Sequence, residues 1–194
     1  MKFEELKVEN FKERIAEAVQ QKEEIMLYAF APHNLIYKGK GNINSPLAKR
    51  LGYDIYNTYD FGGGIVAAQG DIVLVIIKQE GWEIGKNIVE YAAKKLREEF
   101  GLNAEFIDND ILVDKKYKVG SFSSTNIGDR YIYTGVQICF HADPDIITQI
   151  CLKNSPNKIP RGLSYYNIAN TDLMPFVLGF CDEYLKKLPT EVNL

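Results

Sequence analysis

Apolar positions along the chain fall into two rhythms. Phe11, Ile15, Ala18 and Val19 recur at helical spacing, and Asn10 with Glu13 reads as a capping pair, so a first helix is predicted from Asn10 to about Glu24. Ile88, Ala92, Leu96 and Phe100 line one side of the longest predicted helix, 85–100, which Gly101 stops. Leu173, Val177, Phe180, Tyr184 and Leu188 form the stripe of a closing helix over about 171–188, with Pro175 placed in its first turn. Two shorter helices carry strong punctuation: residues 45–52, with Ser45 as cap, Pro46 next and Gly52 as stop, and a segment opened by Asp143 and Pro144.

The second rhythm is that of strands. Residues 71–78, "DIVLVIIK", are almost continuously apolar and β-branched, the signature of a central strand buried on both faces. Residues 25–30 and 33–38 read as strands around Pro32, and "YDIYNTYD" as a strand leading into a glycine run. After residue 104 the strands become hairpin-like: "AEFID", "DILVD", "KYKVGSFSS" and "YIYTGVQICFH". In the last, Val136, Ile138 and Phe140 alternate with Gln137, Cys139 and His141, so one face is expected to be the deeper one. Helices interrupting runs of strands favour an α+β (mixed α/β) fold over a doubly wound parallel sheet. No repeat, low-complexity segment or linker divides the chain, so residues 1–194 are expected to form one domain.

Composition narrows the function classes. The formal net charge is −3, without the basic excess of a nucleic-acid binder, and no apolar run approaches a membrane span. The opening "MKFEELKVENFKERI" is charged throughout and lacks the apolar core of a signal peptide. Cys139, Cys151 and Cys181 form no CxxC pair, and His33 and His141 are the only histidines. Neither a closed zinc site nor a disulfide framework is expected, and the expected setting is a reducing cytoplasm, with neither nucleic acid nor membrane as partner.

Two stretches carry candidate chemistry. In "NTYDFGGGIVAAQG", Gly62, Gly63 and Gly64 separate two strands. Backbone without Cβ atoms can approach a phosphate, a carboxylate or a flat apolar chain, and the same glycines also suit a tight bend. No Lys-Ser/Thr follows, so this is not a P-loop. In "NDILVDKKYKVGSFSS", Asn109 and Asp110 open a strand, and the return strand carries Lys118 before Val119-Gly120-Ser121. A strand lysine beside a glycine either points its ammonium into a pocket, as a charge for a carboxylate or phosphate, or sits on a solvated hairpin. Cys151 shares a short helix with Ile146, Ile147 and Ile150, which suits a buried thiol. Cys139 and His141 stand at i,i+2 on one strand face with no orienting third group, and are read as structural.

In this order, the two stretches resemble the catalytic domain of the lipoate–protein ligase A, octanoyltransferase and biotin–protein ligase superfamily. Gly62-Gly63-Gly64 with Ile65-Val66 is similar to the core of the "RRxSGGGxVxH" loop, Asn109-Asp110-Ile111 to its "ND(I/L)", and Lys118-Val119 to its lysine step. "PHNLIYKGKGNIN" resembles the upstream "P-x-V-x-x-G-R-N-x-N", with Lys40 where arginine is usual, and "YTGVQICFHADPDIITQIC" resembles the later strand and helix. The resemblance covers about residues 25–152, with a helical C-terminal extension at about 171–188.

The resemblance implies a mixed, largely antiparallel sheet flanked by helices, with an acyl adenylate lying against Gly62–Gly64. It implies Lys118 as the catalytic lysine, and Lys40, Asn109 and Asp110 among the binding residues. ATP and Mg²⁺ would serve a ligase that attaches lipoate, octanoate or a related acyl group to a lysine of a lipoyl or biotinyl carrier domain. An octanoyltransferase would need no cofactor and would take its acyl group from acyl carrier protein onto a thiol, for which Cys151 falls in roughly the right region. Thr58 and Tyr59 stand in place of the family's arginine pair, Phe61 in place of its Ser or Thr, and Ala68 in place of its histidine, while Asp60 adds a negative charge. Arginine forks are hard to replace at a phosphate site. The alternative is therefore a catalytically silent member of the same fold that binds a ligand or a protein.

Overall fold

A computed structural model describes residues 1–38, 43–57, 65–79, 83–127, 131–151 and 157–187. The first half of the chain supplies β1 (Lys2–Glu5), α1 (Phe11–Gln21), β2 (Ile25–Phe30), β3 (Leu35–Lys38), α2 (Ser45–Arg50), β4 (Asp54–Asn57), β5 (Ile65–Ala67), β6 (Ile72–Lys78) and α3 (Glu83–Glu98). The second half supplies β7 (Ala104–Ile107), β8 (Asp110–Val113), β9 (Tyr117–Ile127), β10 (Tyr131–Ile138), α4 (Pro144–Ile150), β11 (Ile159–Pro160) and α5 (Asn170–Lys187). The main sheet runs β1-β2-β6-β10-β9-β8-β7, with β11 beside β9, and a smaller sheet runs β4-β3-β5. Within the main sheet, β1 with β2 and β11 with β9 are the parallel pairs among the described residues, and the other pairs are antiparallel. This is the mixed, largely antiparallel α+β sheet that the sequence predicts.

β6 lies between β2 and β10, as its unbroken apolar run requires. Ile72, Leu74 and Ile76 enter one core with α3 and α5, while Val73, Val75 and Ile77 enter a second core under α1. A third cluster joins Ile36, Val66, Ala48, Cys139, Ile147 and Ile150, where the small sheet, α2 and α4 meet the end of β10. The α3 core demands close approach at Gly85, where a Cβ would stand 2.4 Å from Thr134 Cγ2.

β7, β8 and β9 form two successive hairpins. Asp108 and Asn109 turn the first and Asp114 and Lys115 the second, and all four have positive φ. Such turns match the right-handed twist of the strands they join, and Asn and Asp tolerate them best.

Several local details differ from the sequence expectation. A 3₁₀ turn, Val8–Asn10, precedes α1, so Asn10 already has helical angles and makes no side-chain cap. Asn44, not Ser45, caps α2, accepting from Leu47 N at 3.2 Å. α5 starts at Asn170, which leaves Pro175 beyond the first turn, inside the helix. β10 ends at Ile138, so Cys139 and His141 lie past the strand, the first buried and the second exposed. Asp143 caps α4 as expected, accepting from Asp145 N and Ile146 N.

Candidate functional site

The site begins with a register shift. Ile111 pairs with Gly120, but the next residue, Leu112, pairs with Lys118, leaving Val119 as the extra residue of a β-bulge. Residues at i and i+2 normally share a face, so Lys118 would otherwise follow Gly120 and Ile111 towards α3. The bulge instead sends Val119 into the α3 core and turns Lys118 to the face of Asp110. Ser121 and Gln137, paired across β9 and β10, lie on that same face, because Asp110 pairs with Ser121.

Lys118 and Asp110 meet there, with Nζ 2.8 Å from Oδ1. Lys158, just before β11, donates to the other oxygen, Oδ2, at 2.9 Å, and lies 3.6 Å from Asp108 Oδ2. Asp110 is 8% exposed, so its charge needs partners, and it has two. Burial works against the Lys158 charge, but Asp110 and Asp108 outweigh it and hold its pKa above the ordinary lysine value. Two ammonium groups surround the buried carboxylate, and the outer carboxylate, Asp108, is 81% exposed, so solvent screens its pairing with Lys158.

β11 sets this arrangement. It pairs with β9 at Tyr117 and Lys118, beyond the last residue at which β10 does. Ile159 N donates to Lys116 O and Arg161 N to Lys118 O, both at 2.9 Å. Gly162 then passes so close to the end of β10 that a Cβ would lie 2.4 Å from Phe140 O.

Two thiols lie within the electrostatic reach of Lys118. Cys139 is buried, and burial pushes its pKa well up, with Asp71 adding to the effect and Lys118 opposing it. Cys151 is half-buried where residues 43 and 151 bridge, and burial raises its pKa against the pull of Lys118. A raised thiol pKa means little thiolate at neutral pH. Cys181 is buried on α5 and burial pushes it up to about 12.

A second carboxylate braces the region. Asp71 is fully buried at the start of the central strand. Its Oδ1 accepts from Phe140 N at 2.6 Å and His141 N at 2.9 Å, and its Oδ2 from Ala68 N at 3.0 Å. Burial raises its pKa, outweighing these three donors. Next to it, the Gln137 amide donates to Val66 O, tying β10 to β5.

Of the residues singled out in the sequence, Lys118 and Asp110 are therefore brought together. Cys151 stands on the neighbouring apolar cluster. Asn109 belongs to the turn and lines a cleft of about 340 Å³ with Phe122, Ser124 and Ile132. Lys40 and Gly62, Gly63 and Gly64 lie outside the described residues, as do Thr58, Tyr59, Asp60 and Phe61. Lys158 was not singled out from sequence, and its partner Asp110 is 48 residues away. Asp71 carried a faint signal as the acidic residue at the mouth of an apolar run.

No protein-family model matches this chain, and no curated protein matches it by sequence. Solved structures do. LipL1 of P. falciparum, in complex with lipoate, is similar over 99% of this chain and 64% of its own, with a TM-score of 0.70 and 14% identity. Lipoate-protein ligase A bound with ATP is similar over 96% of this chain and 86% of its own, with a TM-score of 0.69 and 15% identity. A biotin protein ligase from Aquifex aeolicus, in complex with biotin, is similar over 96% and 71%, with a TM-score of 0.55 and 14% identity. The chain thus has the fold of the lipoate- and biotin-protein ligases, and spans just under two thirds of the length of LipL1.

Proposed function

We propose that this protein is a lipoate–protein ligase-like acyltransferase or ligase, in which Lys118 binds the carboxylate, or the activated acyl group, of lipoate, octanoate or a related acid. The observation that carries the reading is the placement of Lys118. The bulge at Val119 turns it away from the α3 core to Asp110, and Cys139, of the apolar cluster between the two sheets, donates its N–H to the neighbouring Val119 O at 2.9 Å. A lysine ammonium close to an apolar cluster suits an acid with an apolar chain. In this reading Lys118 neutralises negative charge on the acyl or phosphoryl oxygens, and Gly62–Gly64 form the wall of the ligand site. The acceptor is a lysine of a lipoyl or biotinyl carrier domain, and the protein works in the cytoplasm as one domain.

The ammonium group of Lys118 suits a phosphate of ATP, which would supply acyl activation when bound. Both oxygens of Asp110 are engaged by lysines, and the described residues contain no acidic, histidine or cysteine cluster that could hold a metal ion. Mg²⁺ would accompany the phosphates of ATP. The raised pKa of Cys151 disfavours the route through a thiol acyl intermediate. The second reading, a catalytically silent binding or interaction module, is favoured by Thr58, Tyr59, Phe61 and Ala68 standing where the family's phosphate-handling residues would be. Lipoate-, octanoate- or biotin-dependent ATP–pyrophosphate exchange, lost in Lys118→Ala, is the expected result. Absence of both that exchange and acyl transfer from octanoyl carrier protein, with ligand binding intact, supports the silent module instead.

A further inference from the structure

The cluster holds one lysine more than a simple ion pair needs. Asp110 is nearly buried, and its two oxygens go to two different ammonium groups. Lys118 is the more exposed of the two, at 35% against 20% for Lys158. An incoming oxyanion can draw Lys118 towards itself only if Asp110 keeps a counterion, because a buried carboxylate without one is strongly disfavoured. Lys158 meets that need: it holds the other oxygen, and the chain after it is clamped to β9 through Ile159 N and Arg161 N.

We propose that Lys158 is the standing counterion of Asp110, a positioning residue that frees Lys118 to bind a carboxylate or phosphoryl oxyanion. The proposal rests on the reading of Lys118 as the ligand-binding cation. Without Lys158, Lys118 becomes the main partner of Asp110 and is held back. Removing the Asp110 charge as well releases it again, an outcome that a merely structural role for Lys158 does not produce.

The test reads Lys118 directly. Wild type, Lys158→Gln, Lys158→Arg and the double variant Asp110→Asn/Lys158→Gln are pulsed with an amine-reactive acetylating ester. Mass spectrometry then follows the peptide that carries Lys118, with and without sodium octanoate. Lys158→Gln is expected to slow Lys118 labelling about fivefold, an effect of the size usual for coupled neighbours. Lys158→Arg and the double variant are expected to restore it. Octanoate is expected to protect Lys118 in the wild type and markedly less in Lys158→Gln. Unchanged labelling in Lys158→Gln, or a double variant as slow as the single one, overturns the inference whatever octanoate does. Labelling that follows the expected pattern while octanoate never protects Lys118 supports the counterion role and counts against the acyl-ligand reading.

Discussion

The two faces of the sheet at β8, β9 and β10 are built by the same three strands and differ in chemistry near the bulge. Towards α3 and α5, Ile111, Val119, Phe122, Val136 and Ile138 make a dry, closely packed core. On the other face the same strands carry Asp110, Lys118, Ser121, Gln137 and, just beyond β10, Cys139. What separates the two sets is one extra residue. A strand's side-chain period of two means that one inserted residue exchanges faces for everything before it. Here the insertion at Val119 moves a lysine out of the core and into the company of a carboxylate.

The largest expected effect comes from erasing that distinction. Deleting Val119 realigns β9 with β8 and drives the Lys118 charge towards the α3 core. The expected loss is about 3–5 kcal/mol by urea denaturation, the scale of an uncompensated buried charge. A variant as stable as the wild type would mean that the bulge does not control the facing of Lys118. On the dry face alone, Gly85→Ala puts a methyl within 2.4 Å of Thr134 Cγ2. It should cost about 1–3 kcal/mol and leave ligand binding by the folded fraction unchanged.

Acid titration divides two carboxylates elsewhere in the molecule. Glu4 bonds to Arg14 at 2.9 and 2.7 Å, and those bonds lower its pKa against the opposing effect of burial. Its contribution is present above the ordinary carboxylate value and is lost as pH falls through the lowered one. Burial raises the pKa of Asp71, so its contribution is full below the ordinary value and is lost as pH rises through the raised one. Glu4→Gln should therefore lose less stability than wild type on acidification below the ordinary glutamate range. Asp71→Asn should remove a decline with rising pH, at a cost of about 1–3 kcal/mol for the N–H group of Ala68 left facing an amide. Thermal melts across pH 3–7 on the two variants, roughly the range over which carboxylates titrate, check both signs. The smallest effect concerns the thiols: Cys151, half-buried, should react slowly with iodoacetamide in the native protein, and Cys139 and Cys181 not at all on that time scale.

Much of the framework was legible because it rests on local periodicity. The run 71–78 had to be a strand covered on both faces, and the stripe of Leu173 and Val177 had to meet a core. Lys118 and Asp110 could be chosen from their resemblance to the family's lysine step and "ND(I/L)", but not the side to which Lys118 points, because a bulge is a property of the pairing rather than of either strand. Lys158 is harder still: β11 is a two-residue strand that exists only because β9 extends past β10. The misplaced caps at Asn10 and Ser45 have a similar origin. A polar residue beside a helix marks a boundary to within a turn, and the preceding chain, here a 3₁₀ turn before α1 and Asn44 before α2, decides which residue serves.

In the proposed function the polar face binds the acid group of an acyl ligand through Lys118. Calorimetric titration of octanoate into wild type and Lys118→Met tests it most directly, with n-octanol as the uncharged control. Lys158 remains to hold Asp110, so the variant is expected to stay folded. Octanoate affinity is expected to fall at least about tenfold in Lys118→Met, the loss of one charge-assisted contact, while n-octanol binding stays the same. Equal octanoate binding by the two proteins would contradict it.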